Sequence, residues 1–214
     1  MRLCVFDLDH TLIRSPLDLA AMALDMRRHL EHHCGPLPAK PDRYRVGELL
    51  HWCQANAREH ETPLWEIALD HERRAVVDAA LEPGAREAVE GARAAGYATA
   101  VWTNNAREVT AVALERFAMV PWLDLVVTRD EMRALKPDPD GWRVIAAHFG
   151  AHKDAVVVGD SWVDGVAATG AGVPFVAYRP NEADLTRWKL EPVARLDDLA
   201  ALPEPRGQRA DGGG

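Results

Sequence analysis

Arg2-Leu3-Cys4-Val5-Phe6-Asp7-Leu8-Asp9-His10-Thr11 runs from a short apolar block straight into polar residues. Residues 2–6 read as a buried strand that delivers Asp7, Asp9 and Thr11 at its carboxyl end. The device recurs. Residues 97–102 run into Thr103-Asn104-Asn105, 123–127 into Thr128-Arg129-Asp130 and 155–158 into Gly159-Asp160-Ser161, and 173–177 form a fifth apolar run. Helical patterns over 85–95, 106–117, 139–149 and 163–171 lie between them, three of them stopped by Gly96, Gly150 and Gly172. This alternation with short links predicts an α/β fold, a parallel sheet with helices on both faces.

Residues 15–80 break the rhythm. They hold no convincing strand, and Val46, Leu49, Leu50, Cys53 and Ala57 recur at helical spacing. Helices are expected over 17–33, 44–58 and 64–81, with a Pro-rich link at 35–41 and Pro83-Gly84 marking the return. The expected organisation is a core of 1–14 and 81–202, a helical insertion over 15–80, and a disordered Pro, Gly and Arg-rich tail over 203–214.

With 33 acidic and 25 basic residues, the 214-residue chain carries a formal charge of −8, which argues against a general phosphate-backbone binder of nucleic acid. No apolar run reaches about 18 residues, the length a membrane span needs. Asp7 interrupts the N-terminal apolar run before a signal peptide could form, so a cytoplasmic location is expected. Cys4, Cys34 and Cys53 are not spaced as zinc pairs and read as free thiols. Lysine is scarce (Lys40, Lys136, Lys153 and Lys189), so a lysine in a suggestive place carries weight.

In open parallel sheets ligands bind beyond the carboxyl ends of the strands, so the residues there should converge. Asp7 and Asp9 leave one strand, and Asp160 and Asp164 leave another. Carboxylates gathered in one cleft repel one another unless a hard cation sits among them, and Mg²⁺ prefers oxygen ligands. A magnesium site is therefore expected. Thr103 supplies a hydroxyl after a third strand, and Lys136, in Lys136-Pro137-Asp138-Pro139, supplies a fixed positive charge after a fourth.

The ordered set Phe6-Asp7-Leu8-Asp9-His10-Thr11-Leu12, Val101-Trp102-Thr103-Asn104, Leu135-Lys136-Pro137-Asp138-Pro139 and Val158-Gly159-Asp160-Ser161-Trp162-Val163-Asp164 resembles the haloacid dehalogenase superfamily. With Glu82-Pro83-Gly84 and Ala171-Gly172-Val173, the resemblance spans residues 2 to about 178, and it is to the phosphoglycolate phosphatase-like members. It implies a Rossmann-like core and makes the insertion an α-helical cap of the C1 type. It further implies that Asp7 attacks phosphorus to form an aspartyl phosphate, while Asp9 protonates the leaving oxygen and then activates water. Mg²⁺ would be held by Asp7, the backbone carbonyl of Asp9 and Asp160, with Asp164 orienting metal waters or Lys136. Thr103 and the backbone N–H of Asn104 would bind phosphoryl oxygens, and Lys136 would screen charge.

The expected activity is that of a Mg²⁺-dependent phosphatase acting on a small phosphorylated metabolite such as phosphoglycolate, a sugar phosphate or a nucleotide. The alternatives are a phosphotransferase or phosphomutase of the same superfamily, and a phospho-acceptor signalling module that does not turn over. Halide displacement is disfavoured because those relatives lack the second acid, here Asp9. His10 stands where many relatives have Gly, and Arg14 where some have Asp. Blander readings go to the other polar groups: Asn105 as a helix cap, Ser161 as a turn residue acting through its backbone, and His29, His32, His33 and Cys34 as a solvated helix end. Trp52 and Trp65 read as packing, and Arg43, Arg45 and Arg58 as surface.

Overall fold

The computed structural model describes residues 2–150 and 154–202, so the tail expected over 203–214 lies outside the described residues. In chain order the first half gives β1 (Arg2–Phe6), β2 (Ile13–Arg14), α1 (Leu19–Cys34), α2 (Val46–Asn56), α3 (Glu61–Val77), β3 (Ala80–Leu81) and α4 (Ala85–Ala94). The second half gives β4 (Tyr97–Trp102), α5 (Arg107–Arg116), β5 (Leu125–Val127), α6 (Asp140–Phe149) and β6 (Ala155–Gly159). It ends with α7 (Trp162–Gly170), β7 (Phe175–Tyr178), α8 (Glu182–Arg187) and β8 (Ala194–Leu196).

Six strands form one parallel sheet in the order β5-β4-β1-β6-β7-β8. The central strand β1 is buried from Leu3 to Phe6 because both of its faces are covered. Cys4 and Phe6 point to an apolar layer shared with Ala85 and Val89 of α4 and Val109 and Ala113 of α5. Leu3 and Val5 point to the opposite layer, with Ile145 of α6, Ala167 and Ala168 of α7 and Leu185 of α8. Helices therefore cover both faces, and the α/β Rossmann-like reading holds. The sheet grows from β1 through β4 to β5 on one side and from β6 outward on the other, so β1 lies at the topological switch point.

Helices α1, α2 and α3 pack on a third apolar cluster of their own, built from Met22, Met26, Leu30, Leu49, Leu50, Cys53 and Leu64. Leu135, next to Lys136 in the core, packs against that cluster, which lays the helical block over the carboxyl ends of the strands.

Several boundaries differ from those expected. α3 begins at Glu61 rather than residue 64, because Pro63 falls in the first turn, where a missing N–H is harmless. It stops at Val77, where the Asp78 and Ala79 N–H groups turn back to Ala75 and Val76. The chain then enters β3, which pairs antiparallel with β2, so the two links to the helical block form a short ribbon that the sequence pattern does not announce. β5 starts at Leu125 because Val120–Trp122, with Pro121, is a 3-10 turn. The sixth strand β8 and the helix α8 are additions to the expected set.

Candidate active site

The parallel ladder places the site. The Asp7 N–H donates to Val158 O at 2.8 Å and the Thr103 N–H to Val127 O at 2.9 Å, so each side chain leaves the sheet edge at a fixed height. Asp160 follows β6 directly, and Asp164 sits in the first turn of α7. Carboxylate oxygens of Asp7, Asp160 and Asp164 lie within 4.8 Å of one another. Gly159 makes this possible, because a Cβ there would stand 2.6 Å from Asp164 Cγ.

Lys136 enters this group from the segment after β5. Its Nζ donates to Asp7 Oδ1 at 2.6 Å, to Asp164 Oδ1 at 2.5 Å and to Trp102 O at 2.7 Å, which uses all three ammonium donors. The Lys136 side chain is only 3% exposed. Three carboxylates against one ammonium leave two uncompensated negative charges when all are ionised. An all-oxygen donor set with that deficit fits a hard divalent cation such as Mg²⁺.

The charges are held uneasily. Burial pushes Asp7 up to about 7, with Asp164 adding to the rise and Lys136 opposing it. Burial likewise pushes Asp160 to about 8, with Asp7 and Asp164 adding to it. For Lys136 burial alone would lower the pKa, but the Asp164 and Asp7 carboxylates outweigh it and hold the ammonium charged.

Asp9 stands apart from the three-carboxylate group. Ser15 Oγ donates to its Oδ1 at 2.7 Å, and the side-chain amide of Asn105 donates to its Oδ2. Burial raises its pKa, with those two hydrogen bonds opposing the rise. Thr103 is buried, and its Oγ1 accepts from the Asn105 N–H at 3.2 Å, which leaves the hydroxyl proton to be donated elsewhere. The Asn104 side chain grips the backbone of Lys136 from both sides. His10 takes a left-handed backbone, φ 58°, with its N–H on Ile13 O at 2.6 Å, a conformation in which a Gly costs least.

Two bland readings need correction. Asn105 does not cap α5, whose N-cap is Ala106, but anchors Asp9. Ser161 acts through its hydroxyl as well as its backbone, both donating to Asp164 Oδ2, at 2.6 and 3.2 Å. Sequence reasoning alone misses Ser15, Glu72 and Arg129. Buried Glu72 of α3 is ion-paired with Arg129 and accepts the Ala106 N–H at 3.2 Å, while Arg129 lies over the Trp65 ring at 5.0 Å. The Arg129 N–H in turn donates to Asn105 O at 3.1 Å, so the helical block braces the loop that carries the partner of Asp9. Glu72 has a findable signal, for it stands on the apolar stripe of Leu64, Ala68 and Ala75 at helical spacing.

The comparisons with known proteins agree with this architecture. Residues 1–172 match the family model for haloacid dehalogenase-like hydrolases. The phosphoglycolate phosphatase of Nitrosospira multiformis is 31% identical over 192 residues, covering 83% of this chain and 84% of that protein. That of Neisseria meningitidis is 31% identical over 215 residues, covering 93% and 89%. The crystal structure of a HAD-superfamily hydrolase, subfamily IA, from Geobacter sulfurreducens superposes with a TM-score of 0.59 at 25% identity, covering 94% of each chain. A hydrolase from Pseudomonas syringae superposes with a TM-score of 0.69 at 20% identity over 94% of this chain and 96% of its own. Among the described residues no helix is long and apolar enough to cross a membrane. With six parallel strands, acids at the switch point and a family match over most of its length, the chain belongs to the haloacid dehalogenase-like hydrolases and is an enzyme of that class.

Proposed function

We propose that this enzyme is a Mg²⁺-dependent phosphatase of small phosphomonoesters, phosphoglycolate first among them, working through an aspartyl phosphate on Asp7. The observation that carries the reading is the group of Asp7, Asp160 and Asp164 around the Lys136 ammonium, built at the one place in the sheet where ligands collect. The phosphoglycolate choice draws support from relatives of that name at 31% identity.

Asp7, the backbone carbonyl of Asp9 and Asp160 would hold Mg²⁺, and Asp164 would orient its waters. When bound, the ion neutralises oxygens of the transferring group. An Asp7 carboxylate oxygen attacks phosphorus as the bond to the leaving oxygen breaks. Asp9 gives a proton to that oxygen, a role that the rise of its pKa on burial favours, then takes one from the water that cleaves the aspartyl phosphate. Ser15 and Asn105 keep its carboxyl aimed. Thr103 and the backbone N–H of Asn104 bind phosphoryl oxygens, and Lys136 offsets the charge between phosphate and nucleophile.

The segment 15–80 acts as a cap on a core made of 1–14 and 81–202, supported by the separate apolar cluster of α1, α2 and α3 and its contact with Leu135. A cap over the strand ends excludes bulk water and favours a small metabolite over a folded phosphoprotein or a nucleic acid.

The experiment is phosphate release from a panel of phosphomonoesters, phosphoglycolate included, with Mg²⁺ and with EDTA. Magnesium-dependent release, fastest with phosphoglycolate, is expected. Release that persists in EDTA contradicts the metal assignment, and an isomerised sugar phosphate with little free phosphate replaces the phosphatase with a mutase.

A further inference from the structure

The end of α1 carries His29, His32 and His33, and the 3-10 turn Arg58–His60 that precedes α3 brings a fourth histidine against them. The rings form one packed group. Centroids are 4.6 Å apart for His29 and His33, 4.8 Å for His33 and His60, which stack, and 5.1 Å for His29 and His60. His29 Nε2 and His60 Nδ1 are 3.1 Å apart.

That spacing has a chemical meaning beyond a hydrogen bond. Two imidazole nitrogens on one tetrahedral Zn²⁺, at about 2.0–2.1 Å from it, stand about 3.3 Å from each other. His29 and His33 are four apart, so they share one face of α1 and can close on a single ion. Burial, then His33 and His60, hold His29 below its ordinary pKa and favour the neutral ring that ligates. Imidazole donors suit Zn²⁺, Ni²⁺ and Cu²⁺ and are poor ligands for Mg²⁺, so this chemistry differs in kind from the all-carboxylate group at the strand ends.

We propose that His29, His33 and His60 form a second metal site, for a divalent transition-metal ion such as Zn²⁺, on the helical block. His29 and His60 stand at ligand spacing, while the exposed His33, whose ring stacks on His60, must turn its ring inward to complete the set. The bound ion ties the end of α1 to the turn before α3, two segments that α2 and its links separate in the chain. Because it binds the folded block, it raises stability in proportion to its occupancy.

The test is calorimetric titration of Zn²⁺ into tag-free protein at neutral pH, with saturating Mg²⁺ present to occupy the carboxylates. Binding of one Zn²⁺ per chain in the micromolar range is expected, weakened at least about tenfold in His29→Gln and in His60→Gln, as loss of a ligand demands. His32→Gln should bind as wild type, and Zn²⁺ should raise the melting temperature of wild type more than that of either ligand variant. Melting in EDTA checks that each variant is folded, and the exposed His33→Gln serves if His29→Gln is not. Absence of stoichiometric binding, or an affinity unchanged in the folded ligand variants, overturns the proposal.

Discussion

Asn104 holds Lys136 by both of its backbone groups: the Asn104 Nδ2 donates to Lys136 O at 3.0 Å, and its Oδ1 accepts the Lys136 N–H at 2.9 Å. The residue after the second motif threonine thus fixes the segment that delivers the ammonium to Asp7 and Asp164. Asn104→Ala leaves two partly buried backbone groups unpaired and should cost about 1–3 kcal/mol in urea unfolding. Turnover should fall with it, because Lys136 is no longer held in register. A variant with wild-type stability and rate would show that the clasp is idle.

The Glu72–Arg129 pair joins the helical block to the core at 5% and 8% exposure. Burial raises the pKa of Glu72, with Arg129 opposing the rise, so the carboxylate depends on its partner. Removing one member of a buried pair costs about 3–5 kcal/mol, whereas replacing both by apolar residues recovers much of the loss. Glu72→Gln should therefore be markedly less stable than the double variant Glu72→Leu/Arg129→Met. Equal stability of the two would place the pair's charge outside the energetics.

Asp7 and Asp160, raised to about 7 and about 8 from an ordinary 3.8, make the metal-free enzyme pH-sensitive. Across that window the folded state binds more protons than the unfolded chain, so its stability falls with rising pH. The contribution is full below 3.8 and gone above about 8. In EDTA the melting temperature should drop through this range, and Mg²⁺, held by the ionised carboxylates as proposed, should flatten the decline. A melting temperature in EDTA that climbs towards pH 8 would reverse the sign.

Gly159 has no room for a side chain, since its Cβ would meet Asp164 at 2.6 Å. Gly159→Ala must push that carboxylate off Lys136. An overpacking cost of about 1–3 kcal/mol is expected, with Mg²⁺ affinity lowered as well. Calorimetric Mg²⁺ titration of wild type and variant reads the second effect directly.

Five of the six sheet strands are legible in the sequence because each joins an apolar run to a polar break, a pattern set by burial of both sheet faces. β8 is not, since Ala194-Arg195-Leu196 is three residues at the sheet edge with Arg195 exposed. Asp7, Lys136, Asp160 and Asp164 can be read as a set because their strand ends converge in this topology. Asp9 reads as an acid of the same cleft, but its partners Ser15 and Asn105 lie 6 and 96 residues away and meet it only in the folded chain. Glu72 and His60 are hidden for the same reason, as each meets its partner on a segment far off in sequence.

The most direct measurement compares Mg²⁺-dependent phosphate release from phosphoglycolate by wild type and by Asp7→Asn, both shown folded by thermal melting. An amide cannot form the acyl phosphate, so release should be abolished in the variant while Asp9→Asn retains a slow or trapped first step. Turnover by Asp7→Asn at the wild-type rate would contradict the assignment of Asp7 as the nucleophile.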